Sequence, residues 1–248
     1  MGEFVTNSRE ITGVVLGGGR GTRLSPLTDE TSKHLLPIGD KPMISRVIGQ
    51  LSSAGVKDVL LLIDQRYASQ YMDVLRDGSD LGLESLGYIW QDPFGKGLPS
   101  AIGKAERHVG GSKIVVACGD VLIENGIEKP ISDFMSQQVG ARLVGAYVDD
   151  SAGYSPLRLE TGKVTDILSK NGQRHQRDVI DIGTYMYHPD VFDRIQDLEP
   201  SARGETEIWE LNRNYILDGA LECSVIDGWW TDAGGSLEAY QGAHERYS

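Results

Sequence analysis

The chain has 248 residues, a net charge of −12, 31 glycines and two cysteines. That length suffices for one large α/β domain with a complete core. The acidic balance argues against a nucleic-acid partner, and the longest aliphatic runs, such as Val59–Ile63, are far too short to span a membrane.

Residues 1–10 are polar, lack the apolar centre of a signal peptide and read as a loose arm. Ile11–Leu16 predicts a first strand, which runs into Gly17, Gly18, Gly19 and Gly21. A strand that stops at glycines lets the backbone turn tightly and exposes successive N–H groups that can cradle an anion. Leu16, Gly18, Gly19, Gly21 and Thr22 are therefore candidates to bind a nucleotide, with Arg23 and Lys33 adding fixed positive charge. Five Lys/Arg against three Asp/Glu between Arg20 and Arg46 make a basic island in an acidic chain. No GxxxxGK[ST] loop can be read here. The dinucleotide fingerprint lacks its third glycine after Gly19-Arg20-Gly21, which weakens an NAD-binding reading.

Pro42–Ala54 predicts a helix, with Met43, Val47 and Leu51 on one face and Gly55 beyond its end. Asp58–Ile63 is an aliphatic strand without alternation, as in a parallel sheet. Ala68–Arg76 reads as a helix, Ser85–Trp90 as a strand, Leu98–His108 as a helix and Lys113–Cys118 as a strand. This alternation predicts an α/β fold with a Rossmann-like, mainly parallel sheet, helices on both faces, and ligands at the C-terminal strand ends. The pattern then changes. Arg142–Asp149, Tyr154–Leu159, Lys163–Leu168, Val179–Tyr187 and Leu221–Ile226 read as strands, with Thr161-Gly162 as a hairpin turn. Pro189–Ile195, Glu207–Leu217 and Ser236–Glu245 read as helices. One domain is expected, with a first half at about 11–135 and a smaller β-rich half at about 140–248 that supplies the other wall of one cleft. Cys118 and Cys223 lie in apolar stretches, which points to reduced thiols and a cytoplasmic setting.

Carboxylates beside glycines recur at Cys118-Gly119-Asp120 and at Trp230-Thr231-Asp232-Ala233-Gly234. Alone, such an aspartate is more often a turn residue. If Asp120 and Asp232 converge on a triphosphate they can hold Mg²⁺, which takes one or two carboxylates plus phosphate oxygens. Gln91–Leu98 follows a strand and opens a helix, and Gln91 offers both a donor and an acceptor to a base edge. The five histidines show no metal spacing, and no Ser/His/Asp or Cys/His nucleophile system is visible.

The string GGxGTRLxPLT…K…LLPIxxKPMI, read from Gly18 to Ile44, resembles the signature of sugar-1-phosphate nucleotidyltransferases, especially the glucose-1-phosphate thymidylyltransferase type. Gly17 stands where alanine is usual, Arg20 where a small residue is usual, and Val121 where asparagine usually follows the first aspartate. The resemblance implies a nucleotide-diphospho-sugar transferase fold. It implies Arg23, Lys33 and Asp120 as catalytic residues, Mg²⁺ on Asp120 and Asp232, and Gln91 and Gly97 at a pyrimidine base. It places the sugar phosphate at Tyr154, Ser155, Ser169 and Lys170, where the family pattern is Tyr-Gly and Glu-Lys-Pro. The usual glutamate is thus Ser169 here, and Asp181 stands where an apolar residue often precedes Gly183. The missing carboxylate is expected to have moved to Asp181, for a sugar other than plain glucose. Arg203–Trp209 resembles the family's RGExEIT segment, with Glu207 a weaker candidate. The expected substrates are an NTP, dTTP by preference, and a sugar 1-phosphate. UTP or another NTP with an amino-sugar, cyclitol phosphate or phosphonate acceptor stays open, as does a non-catalytic nucleotide sensor. A homo-oligomer is compatible with the reading. Longer members carry a C-terminal helical extension that helps form an allosteric site. The chain ends soon after Asp232, so feedback through that route is expected to be weak or missing.

Overall fold

A computed structural model of the chain describes residues 10–19, 21–91, 96–169 and 177–248. Strand β1 (Ile11–Gly17) is buried from Thr12 onward. A long loop follows, and within it the short pair β2 (Pro37–Ile38) and β3 (Lys41–Pro42) leads into helix α1 (Met43–Ser53). Then come β4 (Asp58–Asp64), α2 (Ala68–Leu75), β5 (Ser85–Gln91), α3 (Leu98–Gly103), α4 (Glu106–Val109) and β6 (Lys113–Cys118). Strands β5, β4, β1 and β6 lie side by side in that order, all parallel. Their C-terminal ends therefore share one edge, where parallel sheets bind ligands.

Beyond it lie β7 (Val121–Ile123), α5 (Glu128–Ser136), β8 (Ala141–Val148), β9 (Pro156–Glu160), β10 (Lys163–Ile167), β11 (Asp178–Tyr187), α6 (Val191–Gln196), α7 (Ile208–Leu217), β12 (Leu221–Ile226), β13 (Trp230–Asp232) and α8 (Leu237–Arg246). The second half continues the same sheet, giving the order β5-β4-β1-β6-β11-β8-β12-β10-β9. Strand β11 runs antiparallel to both β6 and β8, while β12 is parallel to β8. Side chains alternate across the sheet. Val15 joins a core with Ile44, Val47 and Leu51 of α1 and Phe134 of α5, whereas Val14 and Leu16 join one with Ile102 of α3 and Leu211 and Tyr215 of α7.

Three departures from the sequence expectations have physical causes. The helix expected over 98–108 is two short pieces. Lys104 and Ala105 bond back three residues, to Ala101 and Ile102, at a joint next to Gly103, a weak helix former. Helix α5 was not anticipated, because its buried face amounts to Pro130, Ile131 and Phe134. Strands β7 and β13, three residues each, are too short to show alternation, yet they pair with each other in a separate antiparallel ladder that builds the site.

Candidate active site

The site is centred where β6 ends. Gly119 N–H donates to the Leu16 carbonyl at 3.0 Å, which holds the turn against β1. The Asp120 carbonyl accepts from Ala233 N–H at 2.9 Å, and the ladder sets Asp232 opposite Val121. Two aspartates far apart in sequence thereby meet. Lys33, on a single 3₁₀ turn (Lys33–Leu35), pairs through Nζ with Asp120 Oδ2. Gly234 packs against this pair: a Cβ there would overlap Asp120 Oδ2 and lie 2.8 Å from Lys33 Nζ.

The charges of this cluster are asymmetric. Burial pushes Asp120 up, but the Lys33 charge, His34 and the Lys33 hydrogen bond outweigh it and hold the carboxyl below its usual range. Burial works against Lys33 likewise, and Asp120 and Asp232 overcome it, so the ammonium is held above its usual value. Asp232 is raised, by burial and then by the Asp120 charge, with Lys33, the Gly234 N–H and Arg23 only partly compensating. Its Oδ1 is buried without a hydrogen-bond partner. Among the described residues no group of three or more His, Cys, Asp or Glu converges. Zinc sites usually need three or four protein ligands. Two carboxylates with an unused buried oxygen fit Mg²⁺, which completes its octahedron from water and phosphate.

The glycine loop forms the edge above this centre. Gly18 lies directly under Gln91 at the end of β5, so that a Cβ would strike the Gln91 amide. Gln91 Oε1 is buried and has no hydrogen-bond partner among the described residues, which leaves it an acceptor to offer. Leu16 is buried, Gly18 and Gly21 are half-buried, and Gly19, Thr22 and Arg23 are exposed. Gly21 adopts φ +63° to start the Thr22–Leu24 turn, which Leu24 anchors in the core and Thr28 Oγ1 braces by donating to the Gly21 carbonyl at 2.9 Å. The Arg23 charge reaches Asp232. Below the loop Tyr71 is fully buried and donates to the Gly17 carbonyl at 2.7 Å. Burial, the largest influence, pushes its hydroxyl well above the usual value and His34 down to about 4, so the first stays protonated and the second neutral. Gly97 caps α3 and abuts the Thr206 backbone, and Thr206 N–H and Oγ1 both donate to the Lys96 carbonyl at 2.8 Å. The intervening Asp92–Gly95 lies outside the described residues.

On the other side of the aspartates a cavity of about 720 Å³ opens. Tyr154, Ser155, Ser169 and Asp181 all line it, together with Asp120 and Asp232. Lys170 lies outside the described residues. Asp181 is aimed by a bulge: the β11–β8 register shifts between Asp181 and Tyr185, around Gly183 at φ +78°. Bulges re-aim side chains in this way beside sites. The Asp181 Oδ1 accepts from Tyr185 Oη at 2.6 Å and Gly183 N–H at 3.2 Å. Gln91, Gly97, Arg23 and the loop glycines stand outside this cavity, so the expected residues fall into two adjoining groups joined at Asp120 and Asp232. Arg203 and Trp209, the ends of the segment singled out in the sequence, form cavity wall, and sequence reasoning missed Tyr185 and Arg213 beside them. Trp209 is 39% exposed, with the Arg213 guanidinium 5.7 Å from its ring centre. Their i,i+4 spacing on one helix face was the available signal. Glu207, weak in sequence, lines the cavity and accepts from Arg203 Nη2 at 2.7 and 2.8 Å and from Ser201 Oγ at 2.8 Å.

The chain is 32% identical over 224 residues to the low-salt glycan biosynthesis nucleotidyltransferase Agl11 of Haloferax volcanii, covering 90% of this chain and 62% of that protein's length. It is 32% identical over 225 residues to a glucose-1-phosphate thymidylyltransferase of Actinoplanes sp., covering 90% and 73%. A solved structure from Bacillus anthracis, with a provisional glucose-1-phosphate thymidylyltransferase description and a bound sucrose, superposes with a TM-score of 0.87. It shares 32% identity and covers 96% of this chain and 95% of its own. The family model for nucleotidyl transferases matches residues 12–248, and the chain belongs to that family.

Proposed function

We propose that the chain transfers a nucleotidyl group from an NTP, dTTP by preference, to a sugar 1-phosphate, releasing pyrophosphate. The observation that carries this reading is the Lys33–Asp120–Asp232 cluster, set between a glycine loop and a cavity large enough for a phosphorylated sugar. A phosphate oxygen of the acceptor forms a bond to the α-phosphorus, and the bond from that phosphorus to the β-phosphate oxygen breaks in line. Pyrophosphate leaves with the bonding electrons. No covalent enzyme intermediate and no protein base is required, so catalysis is positioning and charge neutralisation.

In this reading the N–H groups of the Gly18–Gly21 loop and Arg23 receive the departing β,γ-phosphates. Lys33 meets the charge growing on the α-phosphate. Asp120 and Asp232 would hold Mg²⁺, which would supply Lewis-acid neutralisation of the phosphate oxygens. Gln91 and the Gly97 backbone read the base. Tyr154, Ser155, Ser169 and Lys170 receive the acceptor, and the carboxylate of Asp181 takes a hydroxyl or amino hydrogen of its ring. The nucleotide side is then the half at about 11–135 and the acceptor side the half at about 140–248.

Asp181, with Ser169 where the family pattern has glutamate, favours an acceptor other than glucose 1-phosphate. The test is a matrix of NTPs against sugar 1-phosphates, cyclitol phosphates and phosphonates with Mg²⁺, scored by pyrophosphate release. One pair should exceed the rest, and Asp181→Ala should lower its kcat/KM. Nucleotide binding without turnover of any pair would refute the enzyme reading, and robust turnover of dTTP with glucose 1-phosphate would refute the altered acceptor.

A further inference from the structure

We infer that Tyr71 is a positioning residue for Lys33, a role that rests on the nucleotidyl-transfer reading above. Among the described residues Lys33 has no side-chain hydrogen bond beyond that to Asp120, yet the two residues that flank it are both tied to one hydroxyl. Tyr71 Oη lies 2.7 Å from Ser32 Oγ and 3.3 Å from His34 Nδ1, and Ser32 Oγ lies 3.2 Å from the same His34 nitrogen. The same Tyr71 hydroxyl donates to the carbonyl of Gly17, the last residue of β1 before the glycine loop. Tyr71, Ser32 and His34 are all buried. One phenol thus bridges the start of the anion loop and both neighbours of the lysine.

The donors can run in one direction, from His34 Nδ1–H to Ser32, from Ser32 Oγ–H to Tyr71, and from Tyr71 Oη–H to Gly17. A closed network of this kind holds only if every member is satisfied, because each unmade buried bond carries the cost of desolvation. Gly17 takes part by its size: a Cβ there would stand 3.3 Å from Tyr71 Oη and 3.1 Å from the Leu62 carbonyl. Helix α2, which carries Tyr71, also grips the residues just before Lys33. Thr31 Oγ1 donates to Gln70 Oε1 at 2.7 Å, and Gln70 Nε2 donates to the Glu30 carbonyl at 3.2 Å. Residues 30, 31, 32 and 34 are therefore held by two consecutive residues of α2, which act as a jig for the strand of chain that presents Lys33. A phenylalanine would fill the same space and leave the Gly17 carbonyl and Ser32 each short of a partner.

The test compares Tyr71→Phe, Lys33→Ala and their combination with wild type, using the best substrate pair from the matrix above. Thr12→Val is the control. It removes a buried hydroxyl bonded to Ser112 at 2.9 Å, at the opposite end of β1. We expect Tyr71→Phe to lower kcat about tenfold, with KM for the acceptor phosphate held within about twofold. Thr12→Val should leave kcat unchanged. In the Lys33→Ala background, adding Tyr71→Phe should cost nothing further. A kcat within about twofold of wild type overturns the inference, and so does the same fractional loss with and without Lys33. Should Tyr71→Phe not fold, Ser32→Ala carries the same comparison with the same outcomes. If wild type turns over no pair, it is the functional reading that fails. The inference is then decided by the affinity for magnesium-bound NTP, which Tyr71→Phe must weaken when Lys33 is present and leave unchanged when it is absent.

Discussion

Replacing Gly234 by alanine tests whether the Lys33–Asp120 contact is the working centre of the molecule. The backbone at Gly234 is not among the glycines with positive φ, so alanine brings no conformational strain. What it brings is a methyl group on top of Asp120 Oδ2, 3.0 Å from Asp120 Cβ and 2.8 Å from Lys33 Nζ. The lysine end can swing away, but the aspartate is short and only 7% exposed. The contact must therefore open. A charge-assisted hydrogen bond is worth about 1.5–3 kcal/mol, and each ~1.4 kcal/mol is tenfold in rate. Gly234→Ala should thus reduce pyrophosphate release by about 10- to 150-fold at saturating substrates. It should also lower Tm by several degrees, at about 2–4 °C per kcal/mol for a domain of this size. Gly242→Ala is the reference substitution. That residue lies in α8 with open space around its Cβ position, and alanine there should leave the rate unchanged and raise stability slightly. Wild-type turnover by Gly234→Ala, or an equal loss in Gly242→Ala, would refute the reasoning.

Three further outcomes are expected. Arg23→Ala should lower kcat at least about tenfold while leaving Tm within a degree or so, because Arg23 is exposed; a wild-type rate would remove it from the site. Chelation of divalent cations should abolish pyrophosphate release and added Mg²⁺ should restore it, with Asp232→Asn raising the Mg²⁺ needed; activity that survives exhaustive chelation would count against the paired-aspartate site. Stability should fall as the pH is lowered from about 7 to about 4. His34 is held down to about 4 against 6.5 when unfolded, chiefly by burial, so the unfolded chain takes up a proton in that window and the folded chain does not. The stabilising contribution is full above pH 6.5 and is lost as the pH drops to about 4. Over that gap of about 2.5 pH units it amounts to roughly 3 kcal/mol. Urea midpoints of wild type and His34→Gln should converge as the pH falls from 7 to 5, and a gap that widens would reverse the sign of the argument.

The parallel half of the fold was legible because buried parallel strands leave a plain mark, continuous aliphatic runs such as Asp58–Ile63, punctuated by glycines. The pairing of Asp120 with Asp232 was legible only through the resemblance, since the β7–β13 ladder that joins them is too short for any periodic signal. Counting cations was misleading as well. Of the basic residues between Arg20 and Arg46, Arg46 is engaged with the Ile38 carbonyl, Asp40 and the Tyr247 ring, and Lys41 is exposed on β3. Lys33 faces the aspartates, and Arg23 is near enough for its charge to act on Asp232. Motif spacing singled out the two cations that act on the aspartates, whereas bulk charge counted Arg46 and Lys41 with them. In the second half, Asp181 was legible as a carboxylate where the family pattern has an apolar residue before Gly183, and the bulge there is what turns it into the cavity. The wall of Trp209 and Arg213 could have been found from their spacing on one helix face.

The asymmetry of the two aspartates explains why one lysine suffices between them. Asp120 lies two residues past the end of a buried strand, and removing its charge partner would leave a bare carboxylate in the interior, a costly arrangement. Lys33 meets that need and is itself held ionised in return. Asp232 sits on a half-buried strand and shares the same lysine at longer range, so its charge is only partly compensated and its Oδ1 is left without a partner. Were both aspartates fully paired with protein cations, the centre would be a closed salt-bridge cluster with no electrostatic demand for a ligand. Were neither paired, two carboxylates would repel each other and one would stay protonated. The observed arrangement lies between these limits. It keeps one carboxylate ionised and fixed and leaves the other short of positive charge, a shortfall that the proposed Mg²⁺ would fill.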